Sequence, residues 1–127
     1  RKKLYDYLYA IGFKLPAIIS PRSYVSSNSK IGQGSIIMHG ATVNAGASIG
    51  NNCIINTNAI IEHDAVIQNH CHISTGSIIN GASTIGEGTF IGSGTIVNNN
   101  INIGKESLIG SSKNIYKDLE DFTKIIK

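Results

Sequence analysis

The sequence has little charge, few aromatic residues and no long apolar segment. Charged residues occupy 15% of its 127 positions and aromatic residues 6%, whereas charged residues fill about 25% of an ordinary soluble domain. A chain of this length allows one domain, whose core must be built largely from Ile and Val instead of aromatic rings. No run of about 18 apolar residues occurs, which excludes a transmembrane helix.

Cysteine is scarce, and its two positions follow no metal-binding or redox spacing. Cys53 and Cys71 form neither a CxxC pair nor a Cys/His finger. The start, Arg1–Tyr7, is not followed by an apolar segment and a small-residue cleavage site, so we expect no secretory signal. These features predict a cytoplasmic protein with two free thiols. The two cysteines are 18 residues apart, at equivalent positions of an internal repeat, so we expect them to have a packing role.

The net charge of +3 comes from the two ends of the chain. Between Ile31 and Gly104 there is no Lys or Arg, and the only charged side chains are Glu62, Asp64 and Glu87. A nucleic-acid backbone therefore has no continuous basic stripe to follow, which argues against a DNA- or RNA-binding protein.

An internal repeat dominates the middle of the sequence. From Ile19 to Ile115 every sixth residue is Ile or Val, and the residue two positions earlier is usually Ser, Ala, Cys or Thr. A period of six fits neither a helix nor a hairpin. It is typical of short strands joined by tight turns, which bury their apolar side only by coiling into a β-solenoid.

The turns show that the solenoid has three sides. Gly recurs at an 18-residue spacing after one set of core residues, and Asn after another. Both tolerate the left-handed conformations that corners require. Residues 25–115 then make about five coils. Residues 1–11 read as a short helix ended by Gly12, and residues 116–127 as an irregular or partly helical tail.

The rows of Ile followed by Gly resemble the hexapeptide-repeat acyltransferases. A tighter similarity, carried by Ile55–Asp64, His70–Ser74 and Gly81, is to the sialic acid O-acetyltransferase (NeuD-like) and UDP-amino-sugar N-acetyltransferase (PglD-like) branch. The resemblance covers roughly residues 13–115. It implies an all-β fold, a left-handed parallel β-helix with a short N-terminal helix. It also implies an acetyl-CoA-dependent enzyme acting on a bacterial surface-glycan sugar or nucleotide sugar, as a homotrimer with sites between subunits.

The same resemblance assigns roles to individual residues. It makes His63 the catalytic base, Asp64 its partner, His72 and Gly81 contacts of acetyl-CoA, and Asn56 a neighbour of the acceptor. It also divides the chain into three parts: 1–22 as a connector or remnant of an absent sugar-nucleotide-binding domain, 23–115 as the acetyltransferase β-helix, and 116–127 as a C-terminal tail.

The residues around His63 support a base independently of the family. Acetyl transfer from a thioester needs a group that takes a proton from the acceptor, and the imidazole pKa suits that task. His63 follows core Ile61 by two positions, so it points outward near a corner, and Ala45 and Gly81 occupy its slot in the adjacent coils. Either Glu62 or Asp64 could orient it.

Two further expectations concern ligands. The phosphates of acetyl-CoA are expected at Lys105 or Lys113, the basic residues of the later coils. A zinc enzyme of the carbonic-anhydrase kind is disfavoured, because His39, His63, His70 and His72 lie at different offsets from the repeat and do not converge on one metal. A non-catalytic trimeric solenoid is the other alternative.

Overall fold

The computed structural model describes residues 1–127, as one helix followed by two-residue strands. The helix is α1 (Lys2–Ala10). The strands are β1 (Ile18–Ile19), β2 (Tyr24–Val25), β3 (Lys30–Ile31), β4 (Ile36–Ile37), β5 (Thr42–Val43), β6 (Ser48–Ile49), β7 (Ile54–Ile55), β8 (Ile60–Ile61), β9 (Val66–Ile67), β10 (His72–Ile73), β11 (Ile78–Ile79), β12 (Thr84–Ile85), β13 (Phe90–Ile91), β14 (Ile96–Val97), β15 (Asn102–Ile103), β16 (Leu108–Ile109), β17 (Asn114–Ile115) and β18 (Lys124–Ile125).

Every third strand belongs to the same parallel sheet, which gives a three-sided prism. Face A contains β1, β4, β7, β10, β13, β16 and β18; face B contains β2, β5, β8, β11, β14 and β17; face C contains β3, β6, β9, β12 and β15. Equivalent residues 18 positions apart are paired, as Ile55 is with Ile73. The predicted left-handed parallel β-helix is confirmed, with about six turns, one more than the repeat alone indicates.

The core follows from the alternation within each strand. The second residue of each central strand points inward and is buried, whereas the first points outward. The residue before each strand from β4 to β16 is buried as well, and it is small in every case except Ile101. Ile columns and small side chains together fill the interior, as the repeat predicts.

The two cysteines belong to a column of small polar side chains at the corner between faces C and A. Ser35, Thr89 and Ser107 occupy the same position in other coils. The Cys53 and Cys71 thiols donate to the carbonyl oxygens of Gln68 and Gly86, at 3.0 and 3.1 Å. Both cysteines are buried and free. The Cys53 side chain and burial raise the pKa of Cys71, which fits a packing role and not that of a nucleophile.

Helix α1 lies against the corner between faces C and A. The Tyr5 ring meets the edge of His70 at 5.5 Å between centroids, and Arg1 Nη2 donates to the carbonyl of Gly34 at 2.8 Å. Gly12 follows the helix with a φ of +93°, the left-handed conformation that ends helices. With nine residues, α1 is far too short to cross a membrane, and the chain has no other helix.

The strands run beyond the predicted bounds 23–115 at both ends. At the start, β1 already pairs with β4. At the other end, the expectation of an irregular or partly helical tail is wrong, because Leu119 bridges to Ile103 and β18 pairs with β16. Leu119 comes four residues after Ile115, and Ile125 comes six after Leu119. The last coil is therefore two residues shorter, and the repeat then resumes.

Candidate active site

His63 lies at the B–C corner, the turn between β8 on face B and β9 on face C. Its side chain is 61% exposed, so solvent and ligands reach the ring. The turn continues with Asp64 at a φ of +59°, a left-handed conformation that Asp tolerates. The Asp64 backbone N–H donates to the carbonyl of Ala45 in the preceding coil at 3.1 Å, which fixes the turn. The repeat thus holds the imidazole on a rigid frame.

Asp64 is the carboxylate that contacts the His63 ring. Its Oδ2 lies 3.1 Å from His63 Nδ1. An ionised carboxylate can only accept, so this contact places the proton of the neutral ring on Nδ1 and leaves Nε2 with a free lone pair. The pair therefore has the arrangement of a general base with an orienting carboxylate.

Glu62 is directed to a different partner. Its Oε2 accepts a hydrogen bond from Asn44 Nδ2 of the preceding coil at 3.0 Å, and it makes no hydrogen bond to His63. Of the two carboxylates that the sequence leaves open, Asp64 is thus the one in contact with the imidazole. Glu62 instead links its own coil to the preceding one, at a position that Asn occupies in the two neighbouring coils.

Gly81 leaves the space that the His63 ring occupies. A Cβ atom at this position would lie 2.6 Å from His63 Nε2 and 2.7 Å from Cε1. Gly81 is buried and is not in the left-handed region, so the requirement for glycine here is one of space. The predicted stacking of His63 over a small residue is present, and Gly81 exposes the edge that carries Nε2.

His72 and Asn56 form a second group on face A. Asn56 Nδ2 lies 3.2 Å from His72 Nε2. The Phe90 ring meets His72 edge-on at 5.2 Å between centroids. Burial, and secondarily the positive charge of Arg1, lower the pKa of His72, which favours the neutral ring. Phe90 was not singled out from the sequence, although its position 18 residues after His72 already places the two side by side.

The two groups lie on opposite sides of one chain. In a three-sided prism the B–C corner faces away from face A, and both His63 and His72 point outward. Lys105 is at the C–A corner, with Nζ 5.9 Å from the Phe122 ring centroid, and Lys113 is at the A–B corner. A single chain therefore unites His63, Asp64 and Gly81, but separates them from His72, Asn56 and both lysines.

The histidines have separate partners as well. His39 Nδ1 lies 2.6 Å from Ser20 Oγ, and His70 Nδ1 lies 2.8 Å from Asn52 Nδ2. No three His, Cys, Asp or Glu side chains come close enough to hold a metal ion.

Solved structures with the same fold as this chain include acetyltransferases at 32–34% sequence identity. The acetyltransferase domain of PglB from Neisseria gonorrhoeae FA1090 has a TM-score of 0.98 and 34% identity, over 100% of this chain and 62% of that one. The same domain is known in complex with acetyl coenzyme A. PerB from Caulobacter crescentus, a perosamine N-acetyltransferase in complex with CoA and GDP-perosamine, has a TM-score of 0.97 and 32% identity, over 99% and 61% of the two chains.

A more distant structure supports the fold alone. WeeI from Acinetobacter baumannii AYE has a TM-score of 0.80 at 20% identity, over 100% of this chain and 62% of that one. No protein-family model and no curated protein matches the sequence.

The chain has the fold of the hexapeptide-repeat acetyltransferases, and the resemblance inferred from its sequence is confirmed. Its neighbours at 32–34% identity are acetyltransferases of the PglB and PerB kind, which matches the PglD-like branch. The chain spans about 60% of the length of these neighbours.

Proposed function

We propose that this protein transfers the acetyl group of acetyl-CoA to the amine of a nucleotide-linked amino sugar. The observation that carries the proposal is the His63–Asp64 pair, whose Nε2 is open beside Gly81. The similarity to PerB, which binds CoA and GDP-perosamine, supports the amino-sugar acceptor. Acetylation of a sialic acid hydroxyl is the alternative acceptor chemistry on the same site.

In the proposed reaction His63 acts as a general base. Its Nε2 takes the proton of the acceptor N–H as the nitrogen attacks the thioester carbonyl carbon. The tetrahedral intermediate collapses with cleavage of the C–S bond, and the CoA thiolate leaves and receives the proton from the imidazolium. Asp64 stabilises the charged ring during the transfer. No covalent enzyme intermediate is formed.

The acetyl-CoA contacts are part of the proposal. We assign His72 and Gly81 to the acetyl-pantetheine end, with Asn56 beside the site and Lys105 or Lys113 at the phosphates. These residues come from three corners and one face of the prism, so one chain alone does not gather them. The two buried free thiols fit a reducing cytoplasm, in which acetyl-CoA is available.

A homotrimer brings the separated groups together. The outward residues of faces A and B are largely apolar, as in Ile54 and Ile60, whereas face C presents Lys30 and Ser48. If face A of one chain packs on face B of the next, the B–C corner of the second chain lies at the edge of the face that carries His72. Repetition of this heterologous contact by 120° closes a ring of three.

Subunit mixing tests the shared site. At acetyl-CoA concentrations well below KM, co-expressed His63→Ala and His72→Ala chains are expected to release thiol faster than either variant alone, since some interfaces then pair an intact His63 with an intact His72. The matched control is His63→Ala mixed with Asp64→Ala, whose defects share one corner and do not complement. A monomeric mass in solution, or equal recovery in both mixtures, contradicts the trimeric site.

Release of free CoA thiol tests the activity itself. The protein is incubated with acetyl-CoA and one acceptor in each of three reactions. The acceptors are a GDP- or UDP-linked amino sugar, the matching sugar with a hydroxyl in place of the amine, and a sialic acid. Thiol release with the amino sugar alone is expected. Release with the sialic acid alone points to O-acetylation instead, and no release with any acceptor contradicts the enzyme and favours a non-catalytic solenoid.

A further inference from the structure

The orientation of the Asn56 amide is fixed by its own turn. The backbone N–H of Thr57 donates to Asn56 Oδ1 at 2.8 Å, and Thr57 Oγ1 lies 3.4 Å from the same oxygen. A backbone N–H can only donate, so the amide atom that faces it must be the oxygen. The NH₂ group of Asn56 therefore faces His72, 3.2 Å from Nε2.

This contact decides which nitrogen of His72 carries the proton. Asn56 Nδ2 is a donor only, so His72 Nε2 must accept and stay unprotonated. The proton of the neutral ring is then on Nδ1. In a doubly protonated ring, His72 Nε2 and Asn56 Nδ2 would both be donors and could not hydrogen-bond to each other. The burial that lowers the pKa of His72 disfavours that form as well.

The protonated Nδ1 is available to a ligand. His72 is half-buried, and its Nδ1 makes no hydrogen bond within the chain. Every fully buried polar side-chain atom of the chain has a hydrogen-bond partner, so this unpaired nitrogen is not fully buried. The edge-on contact with Phe90 restricts rotation of the ring. The ring is thus held from two sides, with one N–H donor left open on face A.

We infer that Asn56 and Thr57 are positioning residues that act through His72, fixing it as an Nδ1–H donor to a carbonyl oxygen of acetyl-CoA. The inference rests on the proposed function. The two histidines then share the Nδ1–H tautomer but have opposite tasks. Asp64 holds the His63 proton on Nδ1 and frees Nε2 as a base, whereas Asn56 engages Nε2 of His72 and frees Nδ1–H as a donor. The carbonyl belongs to either the thioester or an amide of the pantetheine arm.

Imidazole ¹⁵N NMR of the ligand-free protein tests the tautomer directly. The chain has four histidines, so selective His labelling gives four rings, and the His72→Gln spectrum assigns one of them. The expected spectrum shows a protonated Nδ1 and an unprotonated Nε2 for His72. A protonated Nε2 in the parent protein overturns the inference, and no change at Asn56 is needed to see it.

The variant Asn56→Asp tests the consequence for binding. An Asp side chain keeps the acceptor for Thr57 N–H but presents a second acceptor to His72. At alkaline pH, where the ring is neutral, its single proton then lies on Nε2 and Nδ1 is no longer a donor, so the titration is made there for parent and variant alike. We expect acetyl-CoA affinity to fall about tenfold, the value of one lost hydrogen bond. If free CoA is bound as tightly as by the parent, the carbonyl is that of the thioester; if CoA binding falls equally, it is a pantetheine amide.

The matched control is Asn58→Asp, which adds the same charge two residues away on an exposed side chain that does not contact His72. It should leave both the His72 tautomer and acetyl-CoA affinity unchanged. Equal weakening by both variants, or a changed tautomer with unchanged affinity, overturns the inference. Failure of the proposed function is seen separately, as a parent protein with the expected tautomer that releases no thiol.

Discussion

His63→Ala lowers kcat for thiol release about 10²–10⁴-fold, the contribution of a positioned general base. Acetyl-CoA affinity should stay near that of the parent protein, because the Nε2 lone pair acts on the acceptor proton. Gly81, the assigned acetyl-CoA contact next to the ring, is unchanged in this variant. Initial rates at saturating acceptor, together with calorimetric titration of acetyl-CoA, measure the two quantities separately. The exposed position of the ring leaves the fold undisturbed by this truncation.

His39→Ala is the matched control for this variant. His39 is also at a corner, and its Nδ1 contacts Ser20 at the A–B corner, away from Asp64 and Gly81. It should retain parental kcat and affinity. Parental turnover in His63→Ala would show that His63 is not the base, and parallel losses in both histidine variants would point to a general effect of corner histidines on the solenoid.

The three-sided fold was predictable because the same residue types recur at fixed spacings along the chain. A six-residue spacing of Ile and Val determines which side chains point inward, and the 18-residue spacing of Gly and Asn determines the number of sides. The same reliance on a fixed spacing leaves the last coil unpredicted. Two residues are absent before Leu119, which breaks the period although Leu119 and Ile125 are themselves six apart.

The candidate site was predictable in composition but not in arrangement. The sequence places both Glu62 and Asp64 beside His63, and only the turn conformation decides between them. A left-handed Asp64 brings its carboxylate to Nδ1, whereas Glu62 reaches back to Asn44 one coil away. The amide orientation of Asn56 was likewise inaccessible, since it depends on a backbone N–H whose direction no residue pattern specifies.

Gly81→Ala is expected to reduce kcat nearly as much as loss of the base, about 10²-fold, without unfolding the protein. The added methyl group would lie 2.6 Å from His63 Nε2, so the ring must tilt away from its present position. A displacement of about 1 Å at a reacting group is sufficient for a loss of this size. The atoms in conflict are the end of an exposed side chain that can rotate, so thermal stability should change little.

Steady-state kinetics separate this effect from a role of Gly81 in binding acetyl-CoA. A displaced base lowers kcat at unchanged KM for acetyl-CoA, whereas a lost coenzyme contact raises that KM with kcat intact. Gly110→Ala is the control, because its Cβ would lie 3.0 Å from the Ile125 carbonyl oxygen, in the last coil and far from His63. Parental kcat in Gly110→Ala and a large loss in Gly81→Ala would show that turnover depends on the space that Gly81 leaves for the His63 ring. Parental kcat in both variants would mean that the His63 position in this structure is not the one that matters for the reaction.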